Sequence, residues 1–281
     1  MKGVKEILKI TGSNFLGWPV NQKLILTLLF LAVFVLDNFS PIFDFAEQMR
    51  YRVSPCLLPF CFTHPFMKIV IFSCVIFLFA DAPFMSELHL LLLSRTGKRK
   101  WHMAQILYLI ICSVLYTCLI ALLPVVRHLP LIALTKDWGR LIRTMSVQTD
   151  IVHPVMYSVV QHYSQRTAMF YTMAVCALLT LFLGMILCVC NTLIRNREAG
   201  ILATAFLVLL DWFVYMTDSR ILLWISPVSW IQISNMAYAR ERGIPSASYA
   251  VTVLLIADAV LILLSGVFSA RTDVADWNDI K

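Results

Sequence analysis

Few residues in this chain are spaced for chemistry. A phosphate-cradling loop needs glycines ahead of a lysine and a hydroxyl, and no G-x-x-x-x-G-K-[ST] occurs. H-E-x-x-H, which sets two zinc ligands on one helical face, and G-x-S-x-G, which exposes a nucleophilic serine, are missing as well. The six histidines (His64, His89, His102, His128, His153 and His162) are dispersed. His153 and His162 are near enough in the chain to approach each other over a metal, or to be ordinary surface histidines. With no carrier of enzymatic chemistry in view, the expectation is a chain with no catalytic residue, metal or cofactor of its own.

Acids inside apolar sequence are the better lead, because a charge at a bilayer centre costs about 2.5–3.5 kcal/mol on insertion scales. Asp37 and Asp81 fall near the ends of apolar runs. Asp211 lies deeper, in VLLDWFVY, and Asp258 sits near the middle of LLIADAVLILL. Asp258 reads either as facing an aqueous pathway or a neighbouring helix, or as held by a local Ser or Thr. Asp211 reads first as the local hydrogen bond, and both remain pathway candidates. Cys56 and Cys61, in SPCLLPFCFTHP, are close enough to bridge and equally readable as free thiols. The other six cysteines lie in apolar runs, where the thiol is a small hydrophobe.

These residues belong to a chain of 281 residues that is 60% hydrophobic and 14% charged. A soluble domain carries nearly twice that charge, and several apolar runs reach the roughly 20 residues that cross a bilayer. The composition is that of an integral membrane protein. The net charge of +7 is spread over loops, with no basic stripe or nucleic-acid module, so nucleic acid is not an expected partner. The lysines near the N-terminus are not followed by a short apolar core and a small-residue cleavage site, so no cleaved signal peptide is expected.

The expected fold is all-α, a single transmembrane domain over 1–281. Residues 1–20 read as an amphipathic helix lying in the interface, with Val4, Ile7 and Leu8 on its apolar face and Trp18-Pro19 as its end. Six spans follow, at about 24–43, 66–85, 101–125, 167–194, 200–217 and 247–270. The denser Lys and Arg near one set of span ends places both termini in the cytoplasm, in a multi-pass cell membrane protein. Segment 126–166 predicts two short surface helices, one with Trp138, Leu141, Ile142 and Met145 at helical spacing, the other after Pro154. In 218–246 a short helix at 220–225 and a longer one from about 227 to 242, between Ser226-Pro227 and Gly243, predict a re-entrant segment.

Between the second and third spans the chain gathers its charge, in DAPFMSELHLLLLSRTGKRKW. Leu88, Leu91 and Leu92 share one face of a short helix. Lys98, Arg99 and Lys100 read as groups at the inner headgroup surface, where each is worth roughly 1 kcal/mol with anionic lipid. Trp101 reads as an interfacial anchor.

Taken together, the connecting helix at 1–20, the segment at 86–100, the re-entrant 218–246 and the run SRTGKRKWHMAQILY resemble the membrane subunit of a bacterial ATP-binding-cassette exporter. The resemblance is to the type-2 permease class, with the six-span fold of the type V exporters. It implies that 86–100 is a coupling helix, with Glu87, Leu88, Leu91, Leu92 and Arg95 docking on a separate cytoplasmic ATPase that holds the ATP and magnesium. It also implies a dimer, with a second copy or a related permease chain, around a pathway for an amphipathic or hydrophobic peptide, toxin or lipid. Two other readings stand beside it: a self-contained proton-coupled transporter, and an accessory or immunity protein that binds a toxin.

Overall fold

The computed structural model describes residues 2–84, 96–134, 137–148, 153–194 and 196–271. Among them the secondary structure is helical. The helices are α1 (Lys2–Leu16), α2 (Gln22–Asn38), α3 (Ser40–Met49), α4 (Leu58–Cys61), α5 (Pro65–Phe79), α6 (Lys98–Arg127) and α7 (Gly139–Val147). They continue as α8 (Tyr157–His162), α9 (Gln165–Ile194), α10 (Arg197–Thr217), α11 (Arg220–Ile225), α12 (Ile233–Met236), α13 (Ala239–Arg242) and α14 (Ala247–Arg271). One parallel bridge, Val53 with Ile132, ties the chain after α3 to the chain after α6.

Four described helices, α6, α9, α10 and α14, are long and apolar enough to cross a membrane. A fifth crossing requires α1 and α2 together, and they meet at a 72° bend. The expected count of six is therefore not reached by length and composition. The reason lies in two short helices. The predicted span 24–43 breaks at Phe39, ahead of Pro41, into α2 and α3. The predicted span 66–85 is the 15-residue α5, which begins at Pro65. At 1.5 Å per residue it covers about 22 Å of a core roughly 30 Å thick.

Helix α9 is the centre, packing on α5, α6, α10 and α14. Close approach is built into it. A Cβ at Gly184 would meet the Phe79 ring at 2.9 Å, so glycine there lets α9 lie against α5. Near its end Asn191 donates from Nδ2 to the carbonyls of Ala80 (2.9 Å) and Ala82 (2.6 Å), closing the C-terminus of α5. A Cβ at Gly200 would reach Asn191 Oδ1 at 2.6 Å, which fixes how α10 leaves α9. Asn21 and Asn196 cap α2 and α10 through Leu24 N and Glu198 N.

The bundle has two polar ends. At one, which we call the α1 end, Asp81 accepts from Lys23 (2.8 Å) and Arg197 (3.0 Å), joining α2, α5 and α10. There α1 lies along α6, with Thr11 bonded to the Ala104 carbonyl and Trp18 Nε1 to the Tyr108 hydroxyl. Ile10 and Thr11 face the protein while Val4 and Leu8 stay exposed, so the expected apolar face points away from the bundle. Lys100, expected at lipid headgroups, is paired instead with Glu6 at 2.6 Å, because α1 crosses the start of α6. Trp101 is buried in protein rather than anchored at an interface.

The opposite end is a cap. Helix α7 buries Leu141, Ile142 and Met145 as expected, and α8 follows Pro154. The re-entrant segment keeps its short helix, α11, but the longer one expected over 227–242 is three pieces: a 3-10 turn at Val228–Ile231, then α12 and α13. Gln232 interrupts it with extended backbone, ψ 92°. Gly243 stops α13 in the left-handed region, φ +62°.

Cys56 is half-buried at the cap and Cys61 is fully buried; both are free thiols. Burial pushes the Cys56 thiol above its ordinary pKa, and only the thiolate attacks. With the α1 end in the cytoplasm, a membrane-impermeant maleimide should modify Cys56 in intact cells, faster as pH rises, and spare a cysteine introduced at Ser94. The reverse pattern would turn the molecule over.

Candidate functional site

The strongest polar constellation lies where α5 begins and α10 ends. Lys68 is three residues inside α5, about 5 Å from its first residue, and Asp211 is six residues before the end of α10, about 9 Å in. Both helices are apolar around these positions, yet the two side chains are 3% and 2% exposed. Lys68 Nζ lies 2.8 Å from each oxygen of Asp211, the Oδ1 contact having hydrogen-bond geometry.

The cap completes the cluster. Lys68 also donates to Gln232 Oε1 (2.9 Å), and the Ser229 hydroxyl donates to Asp211 Oδ1 (2.9 Å) with Ser226 Oγ 2.8 Å behind it. Gln232 is the residue at which the long helix breaks, so the interruption delivers its amide to the lysine. Trp230 and Tyr171 hold this part of the cap: Trp230 Nε1 donates to the Leu223 carbonyl, and the Tyr171 hydroxyl of α9 to the Trp230 carbonyl.

Above the ion pair lies a cleft of about 510 Å³. Its polar lining is Lys68, Asp211, Gln232, Asn235, Asp218 and Arg220. Asp218 ends α10 in the left-handed region, and both it and Arg220 are exposed at the rim. The volume falls in the range of small-molecule sites, roughly 300–1,000 Å³.

Asp211 is thus held by more than a local hydrogen bond, and Lys68, Ser229 and Gln232 were not singled out from sequence. The insertion cost that flagged the acids applies equally to a lysine in PFMKIVIF, and that was the available signal. Its partner is 143 residues away, so no local spacing joins them.

Asp258 is the opposite case. It is buried on α14, which packs on α9 and α6, yet neither carboxylate oxygen has a hydrogen-bond partner among the described residues. The stripe that carries it, Ala250, Leu254, Asp258, Ser265 and Ser269, is the buried face of an otherwise exposed helix. Further along, Ser265 meets His102 Nε2 of α6 at 3.1 Å. The structure does not join Asp258 to the Asp211 cluster: among the described residues no hydrogen bond or ion pair links it to Asp211, Lys68, Gln232 or Ser229.

Other expected sites are placed as follows. Glu87, Leu88, Leu91, Leu92 and Arg95 lie outside the described residues. Lys98, Arg99 and Lys100 form the first turn of α6 at the α1 end. His153 and His162 each bond a carbonyl of their own segment, Gln148 and Ser158. Among the described residues no three His, Cys, Asp or Glu side chains could hold a metal. Compared with family models, curated proteins and solved structures, the chain matches none.

Removing one partner of a buried ion pair costs about 3–5 kcal/mol, whereas replacing both by apolar groups is often neutral. Lys68→Met and Asp211→Leu should each lower the thermal midpoint of the purified protein in detergent, and the double variant should regain most of the loss. Additive losses would mean the two are not coupled. Among the described residues Asp258 has no hydrogen bond or ion pair to lose, so Asp258→Asn should leave the midpoint unchanged; a marked fall would reveal a partner.

Proposed function

We propose that this helical membrane protein is the permease subunit of an ATP-driven exporter, working as a pair of copies with a separate cytoplasmic ATPase. The observation that carries the reading is that α5 and α10, packed on each other, are joined at both ends. Asp81 just after α5 pairs with Arg197 of α10 at the α1 end, and Lys68 of α5 pairs with Asp211 of α10 under the cap. A displacement applied at one end of such a pair reaches the other as a rigid-body shift. The segment after α5, residues 85–95, leaves from the α1 end, where a cytoplasmic ATPase would push on it.

On this reading Leu88, Leu91 and Leu92, with Glu87 and Arg95 beside them, dock on the ATPase, which binds the ATP and magnesium and performs the hydrolysis. Closure of the ATPases moves α5 and α10 together and disturbs the cap. The cargo is amphipathic or hydrophobic, as suits helices whose exposed faces are Leu-, Phe- and Val-rich. Asp258 supports a second reading, a proton-coupled transporter without an ATPase, because a buried carboxylate without a partner is what a proton carrier needs.

Purification in mild detergent separates the two. The exporter reading expects a stoichiometric ATPase in the complex, lost when Leu91→Asp places an unpaired carboxylate in the contact, a cost of about 3–5 kcal/mol or more than a hundredfold in affinity. Lys98→Gln with Arg99→Gln should keep it. A chain that transports in liposomes with no ATPase, and loses transport in Asp258→Asn, would replace this reading with the second.

A further inference from the structure

The cleft over the ion pair is a built site with unused polar capacity. Its floor is closed, since Asp211 is 2% exposed and Lys68 Nζ lies 2.8 Å from each of its oxygens, so the free capacity is at the rim. At the rim, among the described residues, neither Asp218 nor Arg220 is engaged in an ion pair, and the Asn235 amide has no side-chain hydrogen bond.

The charges define that ligand. Lys68 is balanced by Asp211 and Arg220 by Asp218, so the cleft has no net charge to attract a simple cation or anion. It holds instead separated acceptors and donors. We propose that the cleft binds a zwitterion with a primary ammonium and an anionic group a few atoms apart. The ammonium sits on the exposed Asp218 carboxylate. The anion sits on Arg220, whose planar fork suits phosphate or carboxylate, and on the Asn235 amide.

A quaternary ammonium fits less well. It has no N–H to give a carboxylate and is recognised by aromatic cages, whereas Tyr215 is the single ring among the cleft's lining residues. The same chemistry is carried by an ethanolamine phospholipid headgroup and by a free amino acid. The cleft opens where α5 begins and where α10, a helix long enough to cross a membrane, ends, which is where headgroups would lie. Its apolar wall, Val214, Leu223 and Ile244, offers a surface for the first methylenes of an acyl chain. The site stands whether or not an ATPase drives the chain.

The test is calorimetric titration of the full chain in an uncharged, phospholipid-free detergent. Glycerophosphoethanolamine should bind saturably, and glycerophosphocholine at least roughly tenfold more weakly, the loss of one charge-assisted hydrogen bond. Asp218→Asn and Arg220→Gln lie at the exposed rim, so each should weaken binding by about tenfold while leaving the ligand-free thermal midpoint unchanged. Asn is also at ease in the left-handed backbone at 218. Dihexanoylphosphatidylethanolamine binding more tightly than its headgroup alone identifies a lipid; alanine binding as tightly as the headgroup identifies a free solute. Equal binding of the choline compound, wild-type binding by both rim variants, or no saturable binding of any probe would overturn the proposal.

Discussion

The buried ion pair between Lys68 and Asp211 is the constraint from which the cap end of this molecule follows. Two charges taken out of water lose several kcal/mol of hydration each, and their mutual attraction repays it only where every remaining lone pair and proton finds company. Here one amide and one hydroxyl do most of that work, and both come from the segment between α10 and α14. That segment is not a regular helix: Ser229 lies in the 3-10 turn Val228–Ile231, and Gln232 follows it in extended backbone with its amide on Lys68. Local irregularity at this depth is tolerable because the backbone is buried in protein rather than lipid.

The short α5 is the second consequence. A 15-residue helix leaves its carbonyl end inside the bundle, where unmet carbonyls are expensive. The Ala82 N–H meets the Phe79 carbonyl, Asn191 ties down the carbonyls of Ala80 and Ala82 just beyond the helix, and Asp81 between them takes Lys23 and Arg197. Those exposed pairs are individually worth about 0–1 kcal/mol, so they set register more than stability. The stabilising part is packing: Gly184 admits the Phe79 ring, and Gly200 admits the Asn191 side chain. Helices α5, α9 and α10 therefore form one closely fitted unit, with α14 and α2 presenting broad apolar faces outward.

What was legible from sequence divides along the range of the interactions. Helical periodicity and punctuation are local, so α6, α9, α10 and α14, the surface helix with Leu141, Ile142 and Met145, and the stop at Gly243 all stand where their residues imply. The failures are tertiary. Lys68 looks like one basic residue at the edge of an apolar run until Asp211 is brought to it from another helix. The long helix through Gln232 has good local signals and is overruled by that same contact. Trp101 and Lys100 have the composition of interfacial residues, but α1 folds over the start of α6 and claims Lys100 for Glu6. The division of 24–43 at Phe39 was announced by Pro41, a residue tolerated in a first turn and so equally consistent with a new helix starting there.

The two intramembrane acids show why burial alone does not identify a functional group. Asp211 has a cation, a serine and a capping segment arranged around it, and losing any of them leaves charge without company; its position is explained by what it holds together. Asp258 is nearly as buried, and among the described residues neither of its carboxylate oxygens has a hydrogen-bond partner. An apolar residue on that stripe of α14 would pack on α9 without an unmet carboxylate, so stability gives no reason for an acid there. Its place is therefore set by something other than the packing of α14 on α9. The two acids thus ask different questions of the same chain, Asp211 about what holds the cap end together and Asp258 about why a carboxylate stands on a packing face.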